Sequence, residues 1–170
     1  MKRFLCAVVG ALLVIAPTVA RSQTTPSTIG AGPHGYDWEV GTTWSCTNSM
    51  PATPLGGPST QTEQVSRGTS GAILSHITGN NFELYSYSLY EPATKKWTAP
   101  FVAADGSYGT ESTMQSGKKI AWTGILVDKA GRTTQVRDTD VYAGSSFTDL
   151  GESLLGGTWK TEYKITCTKS

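Results

Sequence analysis

The sequence predicts an all-β fold: a single antiparallel up-and-down barrel of about 8–10 strands, stapled by one disulfide. Three observations carry this. From Trp159 to Lys169 the chain reads W-K-T-E-Y-K-I-T-C-T-K. Trp159, Thr161, Tyr163, Ile165 and Cys167 alternate with Lys160, Glu162, Lys164, Thr166 and Thr168, the period of two that a half-buried strand requires. The opening stretch repeats the pattern. Trp38, Val40, Thr42, Trp44 and Cys46 share one face, and Asp37, Glu39, Gly41, Thr43 and Ser45 share the other. Between these ends, Gly-rich turn signals recur at short spacing and few stretches show helical period. Each end of the folded domain thus carries a Trp and a Cys on its apolar face, as if the first and last strands meet.

The chain begins with an expected export signal over residues 1–20. Lys2 and Arg3 precede an apolar run of 12 residues, Phe4–Ile15, too short to span a bilayer comfortably. Thr18-Val19-Ala20 offers small residues for cleavage, and Cys6 leaves with the signal. No stable membrane insertion is expected after its removal, and the location expected is periplasmic or secreted. Cys46 and Cys167 then remain in a chain sent to an oxidising compartment, where such a pair forms a disulfide. Two separate buried thiols are the alternative. The bond would close a loop of about 120 residues and stabilise the fold by roughly 2–4 kcal/mol.

Residues 21–35 are polar and rich in Gly and Pro, and read as a flexible leader. Gly30-Ala31-Gly32-Pro33-His34-Gly35 matches a dinucleotide glycine pattern, but no βαβ unit surrounds it. The barrel is expected over residues 36–170. After its first strand, Met50–Ser59 carries three prolines and two glycines. This loop either overhangs one mouth of the barrel or is a plain connection. Strands are expected at Gln61–Gly68, Ala72–Thr78, Phe82–Tyr90, Lys96–Ala103, Ser107–Gln115, Lys119–Val127, Arg132–Tyr142 and Ser145–Leu154. The turns between them include Gly79-Asn80-Asn81, Asp105-Gly106 and Gly156-Gly157. With an even strand count, Cys46 and Cys167 would fall at opposite rims. The disulfide therefore needs an odd strand count, a register offset or a bent first segment, of which nine barrel strands, or a first segment that crosses the barrel end before Cys46, are favoured.

Charge excludes some partners. Losing Lys2 and Arg3 leaves 12 basic residues against 13 acidic. No basic patch stands out, so no nucleic-acid partner is expected. No cysteine or histidine spacing suits a metal, and no cofactor is expected.

Several stretches resemble one family. Gly41-Thr42-Thr43-Trp44 opens the domain, Ser116–Gly124 (S-G-K-K-I-A-W-T-G) sits in the middle, Gly156-Gly157-Thr158-Trp159 begins the last strand, and Cys167-Thr168-Lys169 ends it. Together these resemble exported bacterial lipocalin-like barrels, a calycin-type domain of unknown function. The resemblance implies a meander barrel with an interior cavity and supplies no catalytic residues. Related haem-binding barrels use a late axial His, whereas this chain has none after His76.

Candidate ligand-binding residues are His76, Tyr85, Trp97, Phe101, Trp122 and Arg137. His76 shares a face with Ala72 and Leu74 and would sit in the cavity if that face is inward; a rim imidazole satisfied by a neighbour is the alternative. Trp97 and Phe101 share a face, as do Ile120, Trp122 and Leu126, and such aromatics either form core or line a pocket. Asp138 and Asp140 read as a solvated outer face, which turns Arg137 inward, to stack on Trp122 or Trp159, pair with Glu152, or hold a carboxylate. Trp44, Trp122, Trp159, Tyr163 and Ile165 are expected to be buried, and Lys160, Glu162 and Lys164 exposed. No Ser lies in a nucleophile elbow, so no enzyme is expected. The expected function is an exported carrier with a small apolar or amphipathic ligand inside the barrel. The alternative is a solid-cored structural or interaction module acting through its outer surface.

Overall fold

The structure is a computed structural model and describes residues 39–51, 53, 55, 57–68 and 71–170. The expected signal and leader lie outside the described residues. Ten strands follow in order: β1 (Thr42–Asn48), β2 (Thr60–Arg67), β3 (Ile73–Gly79), β4 (Phe82–Glu91), β5 (Lys96–Ala103), β6 (Tyr108–Thr113), β7 (Lys119–Val127), β8 (Thr133–Tyr142), β9 (Ser146–Leu155) and β10 (Thr158–Lys169). Each pairs antiparallel with its sequence neighbour, and β1 pairs with β10 to close the barrel. The turns follow the sequence chemistry. Asp105 Oδ1 accepts the Ser107 N–H at 2.9 Å, and Gly106 takes a positive φ of 91° between them, a conformation cheap only for glycine.

The disulfide forms between Cys46 and Cys167, with an S–S distance of 2.03 Å. Ten strands, not nine, close the barrel. The offset that makes this possible is in the register. The described pairing of β1 runs from Trp44↔Lys169 to Asn48↔Ile165, so β1 lies along only the C-terminal part of β10. Cys46 and Cys167 are therefore direct cross-strand partners, and both point inward, at 3% and 1% exposure.

A second departure is a bulge in β10. Thr161 pairs with Glu152 and Tyr163 with Gly151, which leaves Glu162 as the extra residue. A bulge breaks the period of two and lets neighbouring side chains share a face. Glu162 is consequently buried at 3% exposure, although strict alternation places it outside with Lys160 and Lys164. Those two lysines are exposed, Trp44, Trp122 and Ile165 are buried, and Trp159 and Tyr163 are half-buried. The inward ring of Tyr163 lies over Gly151, where an added Cβ would meet it at 2.1 Å. The glycine is thus the space that the ring occupies.

The interior changes character along the barrel axis. At the rim formed by the start of β1, β3, β5, β7 and β9, a plug of Trp44, Val65, Ile73, Trp97, Ile120 and Phe147 closes the end. Trp44 meets Phe147 edge-on, with centroids 4.9 Å apart. The opposite rim is not filled. There Leu55 and Gly57, from the loop before β2, border the cavity mouth with Phe82 and Leu84. The loop also packs on β3, for an added Cβ at Gly79 would strike Pro58 at 2.5 Å. The described residues Leu55 and Gly57 of the expected Met50–Ser59 loop therefore stand at a mouth.

Candidate functional site

The unfilled part of the barrel is a cavity of about 410 Å³, within the range of pockets that hold small molecules. Inward positions of β3, β4, β5 and β7 give it apolar walls: Ile77, Phe82, Leu84, Phe101, Trp122 and Leu126. Inward positions of β2, β6, β8, β9 and β10 give it carboxyl groups: Glu63, Glu111, Asp138, Asp140, Asp149 and Glu162. No Lys, Arg or His is among the described residues that line it.

The orientation of β8 is the main correction to the expected site. Val136 and Asp140 are buried, at 9% exposure each, and alternation carries Asp138 inward with them. Asp138 and Asp140 are thus cavity residues rather than a solvated outer face. Arg137 points the other way, against expectation. Its Nε donates to Glu152 Oε2 at 2.6 Å, and its guanidinium lies 4.4 Å from the centroid of the Trp159 ring. The stacking and pairing partners foreseen for Arg137 are present, but on the outer face.

The carboxyls are held by hydroxyl and indole donors. Tyr163 donates its hydroxyl to Asp138 Oδ1 at 2.7 Å, and Trp122 donates its indole N–H to Asp140 Oδ2 at 3.0 Å. Ser153 donates to Glu162 Oε1 at 2.5 Å, and Ser75 donates to Glu63. Burial without a countercation disfavours the charged form. Burial, reinforced by the neighbouring Asp138, pushes Glu111 up to about 10. Burial and Asp138 likewise push Asp140 up to about 8. Burial raises Asp138 and Glu63 and takes Asp149 well above the usual carboxylate range. The Tyr163 hydroxyl is also driven well up, by burial first and by Asp138 second. Three carboxyl oxygens inside this belt, Glu111 Oε1, Asp149 Oδ1 and Glu162 Oε2, are buried with no hydrogen-bond partner.

The other sequence candidates separate. Phe101 and Trp122 line the cavity, while Trp97 belongs to the plug at 2% exposure. His76 and Tyr85 lie outside the barrel wall, because β3 turns Ser75 and Ile77 inward and not His76. Their rings stack at 4.2 Å, and both bond Glu83 Oε1, at 2.9 Å from His76 Nε2 and 2.7 Å from the Tyr85 hydroxyl. His76 is thus the imidazole satisfied by a neighbour. Leu74, Tyr85, Tyr87, Val102 and Tyr108 are all exposed beside it on outward positions of β3 to β6. Sequence reasoning missed Glu63, Glu111, Asp149 and Glu162 as site residues. The one signal available was Asp149, which alternates in step with Phe147; Glu111, between Gly109 and Thr113 on its face, carried none.

Metal chemistry finds one grouping among the described residues: Cys46, Glu63 and Cys167 have ligand atoms within 4.8 Å of one another. Both sulfurs are consumed in the disulfide, so no thiolate is available to a metal.

No protein-family model matches this chain, and no curated protein matches it either.

Proposed function

We propose that this protein is an exported carrier, periplasmic or secreted, that holds one small amphipathic molecule inside a lipocalin-like barrel. The observation that carries the reading is the unfilled cavity of about 410 Å³ in a closed barrel. A narrow barrel that serves only as a scaffold fills its interior with side chains. This one does so at the plugged rim and stops at the other. The apolar walls would take the body of a ligand, and the carboxyl belt would take a polar group. The disulfide is compatible with an oxidising compartment, as is the expected signal over residues 1–20.

The test is native mass spectrometry on protein purified from its own source, followed by fluorescence titration with small aromatic alcohols, amines and dyes. A carrier retains or takes up one molecule per chain, with a Kd below about 1 mM, and Trp122 emission is quenched. Leu84→Trp, which fills space at the mouth, abolishes uptake. Absence of any ligand from the whole panel overturns the reading.

A second reading has its own observation. The outward stripe of Leu74, Tyr85, Tyr87, Val102 and Tyr108 exposes each of these side chains by 41–54%, the kind of surface that interaction modules present. That reading predicts a partner whose binding is lost in Tyr85→Ser and unchanged in Leu84→Trp.

A further inference from the structure

We infer that the molecule held in the barrel is an organic cation, an amphipathic ammonium whose charge is taken by the inward carboxyls around Glu111, Asp138 and Glu162. The inference rests on the carrier reading and deepens it by naming the ligand class.

Three independent features of the cavity point this way. The first is a set of orphaned acceptors, Asp149 Oδ1 and two in more deeply buried residues. Glu111 Oε1 and Glu162 Oε2 line the cavity, in residues only 9% and 3% exposed, and neither has a donor. A buried acceptor left unpaired costs free energy, and an N–H donor from a ligand would remove that cost. The second feature is sign. Glu83 and Glu152 border the cavity but are already engaged, with His76 and Arg137. The belt itself faces no basic side chain among the described lining residues. The third is spacing. Among the described residues, no three carboxyls bring oxygens within 4.8 Å of one another. A bare metal ion needs such a cage, whereas an ammonium on an organic frame forms separate N–H···O bonds to oxygens set further apart. Trp122 and Phe101 supply aromatic faces beside the belt, which attract a cation as well as an apolar body.

The titratable groups around the ligand come from β2, β6, β8, β9 and β10, with Glu83 of β4 and Glu152 of β9 at the border. Glu63 comes from β2, Glu111 from β6, Asp138 and Asp140 from β8, Asp149 from β9, and Glu162 and Tyr163 from β10. Glu39 borders the cavity from the chain before β1, Asp105 stands at the mouth, and β3, β5 and β7 contribute uncharged residues. Without ligand, Glu111 and Asp140, pushed up to about 10 and about 8, keep protons at neutral pH. An arriving ammonium favours their ionised form, so a proton passes from carboxyl to solvent as the cation binds. Binding therefore tightens as pH rises.

The experiment is calorimetric titration of the full oxidised protein with 2-phenylethylamine, 2-phenylethanol and phenylacetate, in buffers of different ionisation enthalpy. The amine binds about tenfold to a hundredfold more tightly than the alcohol, as a charge-assisted hydrogen bond implies. Binding releases a proton at pH 7, and the amine's affinity falls between pH 8 and pH 5.5 while the alcohol's does not. Glu111→Gln and, separately, Glu162→Gln narrow the amine-to-alcohol ratio by about tenfold. If the alcohol or the acid binds as well as the amine, the cation inference is overturned and the carrier reading stands. If none of the three binds below about 1 mM and the native protein carries nothing, both fall. Saturation by Ca²⁺ or Zn²⁺ that the amine cannot displace overturns the organic cation in favour of a metal.

Discussion

The two sides of this barrel wall treat the same functional group in opposite ways. On the outside, Glu83 accepts from Tyr85 and His76 and is held below the usual carboxylate range. Asp128, in the turn before β8, is held low by the Arg132 backbone and guanidinium. On the inside, a strand's thickness away, Glu111 and Asp140 are pushed up to about 10 and about 8. The difference lies in water and countercharge. An outward carboxylate keeps its solvation and finds a cation or several donors. An inward one loses solvent and meets other carboxyls, so it keeps its proton. The outer acids serve a solvated surface as charged groups, and burial holds Glu111 and Asp140 inside toward the neutral form.

The largest expected effect comes from opening the wall itself. Reducing the Cys46–Cys167 bond frees the seam between β1 and β10 and lets water reach the belt. A loss of about 2–5 kcal/mol is expected, seen as a lower urea midpoint in dithiothreitol than under oxidising conditions.

Next is Gly151→Ala. Its methyl would overlap the Tyr163 ring, which must withdraw and give up its bond to Asp138. Overpacking and the lost bond together cost about 2–4 kcal/mol, measured by chemical unfolding. Gly151→Ala with Tyr163→Ala recovers part of it if the ring is the obstacle.

Titration sharpens the comparison further. A carboxyl whose folded value lies above its unfolded one makes the folded state hold more protons. Its contribution is complete below about pH 4 and is lost as pH rises through the folded value. Stability of the ligand-free barrel therefore falls between about pH 4 and pH 8, where Asp140 titrates, and falls further toward pH 10, where Glu111 does. A drop on the order of 1 kcal/mol per pH unit is expected near neutrality. Glu111→Gln shallows that slope and is more stable than the parent above pH 7. An unchanged slope would place the protons elsewhere.

The smallest effect belongs to the outer wall. Arg137→Ala removes the pair with Glu152 and the contact with Trp159, both partly exposed. The expected cost is the smallest of the set and shrinks in salt, whereas the interior effects persist in 1 M NaCl.

The strands were legible because their signals are local. Period-two runs and Gly-bearing turns place β2 to β10 within two residues of the observed limits. The cysteine pair was legible from its compartment and from its positions on the two end strands. The faces were harder. Alternation divides a strand into two sets but does not say which set is inward, and on β8 the set richer in charge went in. Asp138 and Asp140 look like surface until Tyr163 and Trp122, from β10 and β7, arrive to donate to them.

What the sequence by itself determined is the inventory: ten candidate strands, though not how many of them close the barrel, their order, the turns that join them, and the cysteines that can close them. These depend on neighbours a few residues apart, whose side-chain period and φ preferences are written in the chain. Only the tertiary structure decided the offset of β1 along β10, the bulge that turned Glu162 inward, and the side of the wall on which each carboxyl stands. Those depend on closing a sheet on itself, where one residue of register moves a whole row of side chains from water to the interior.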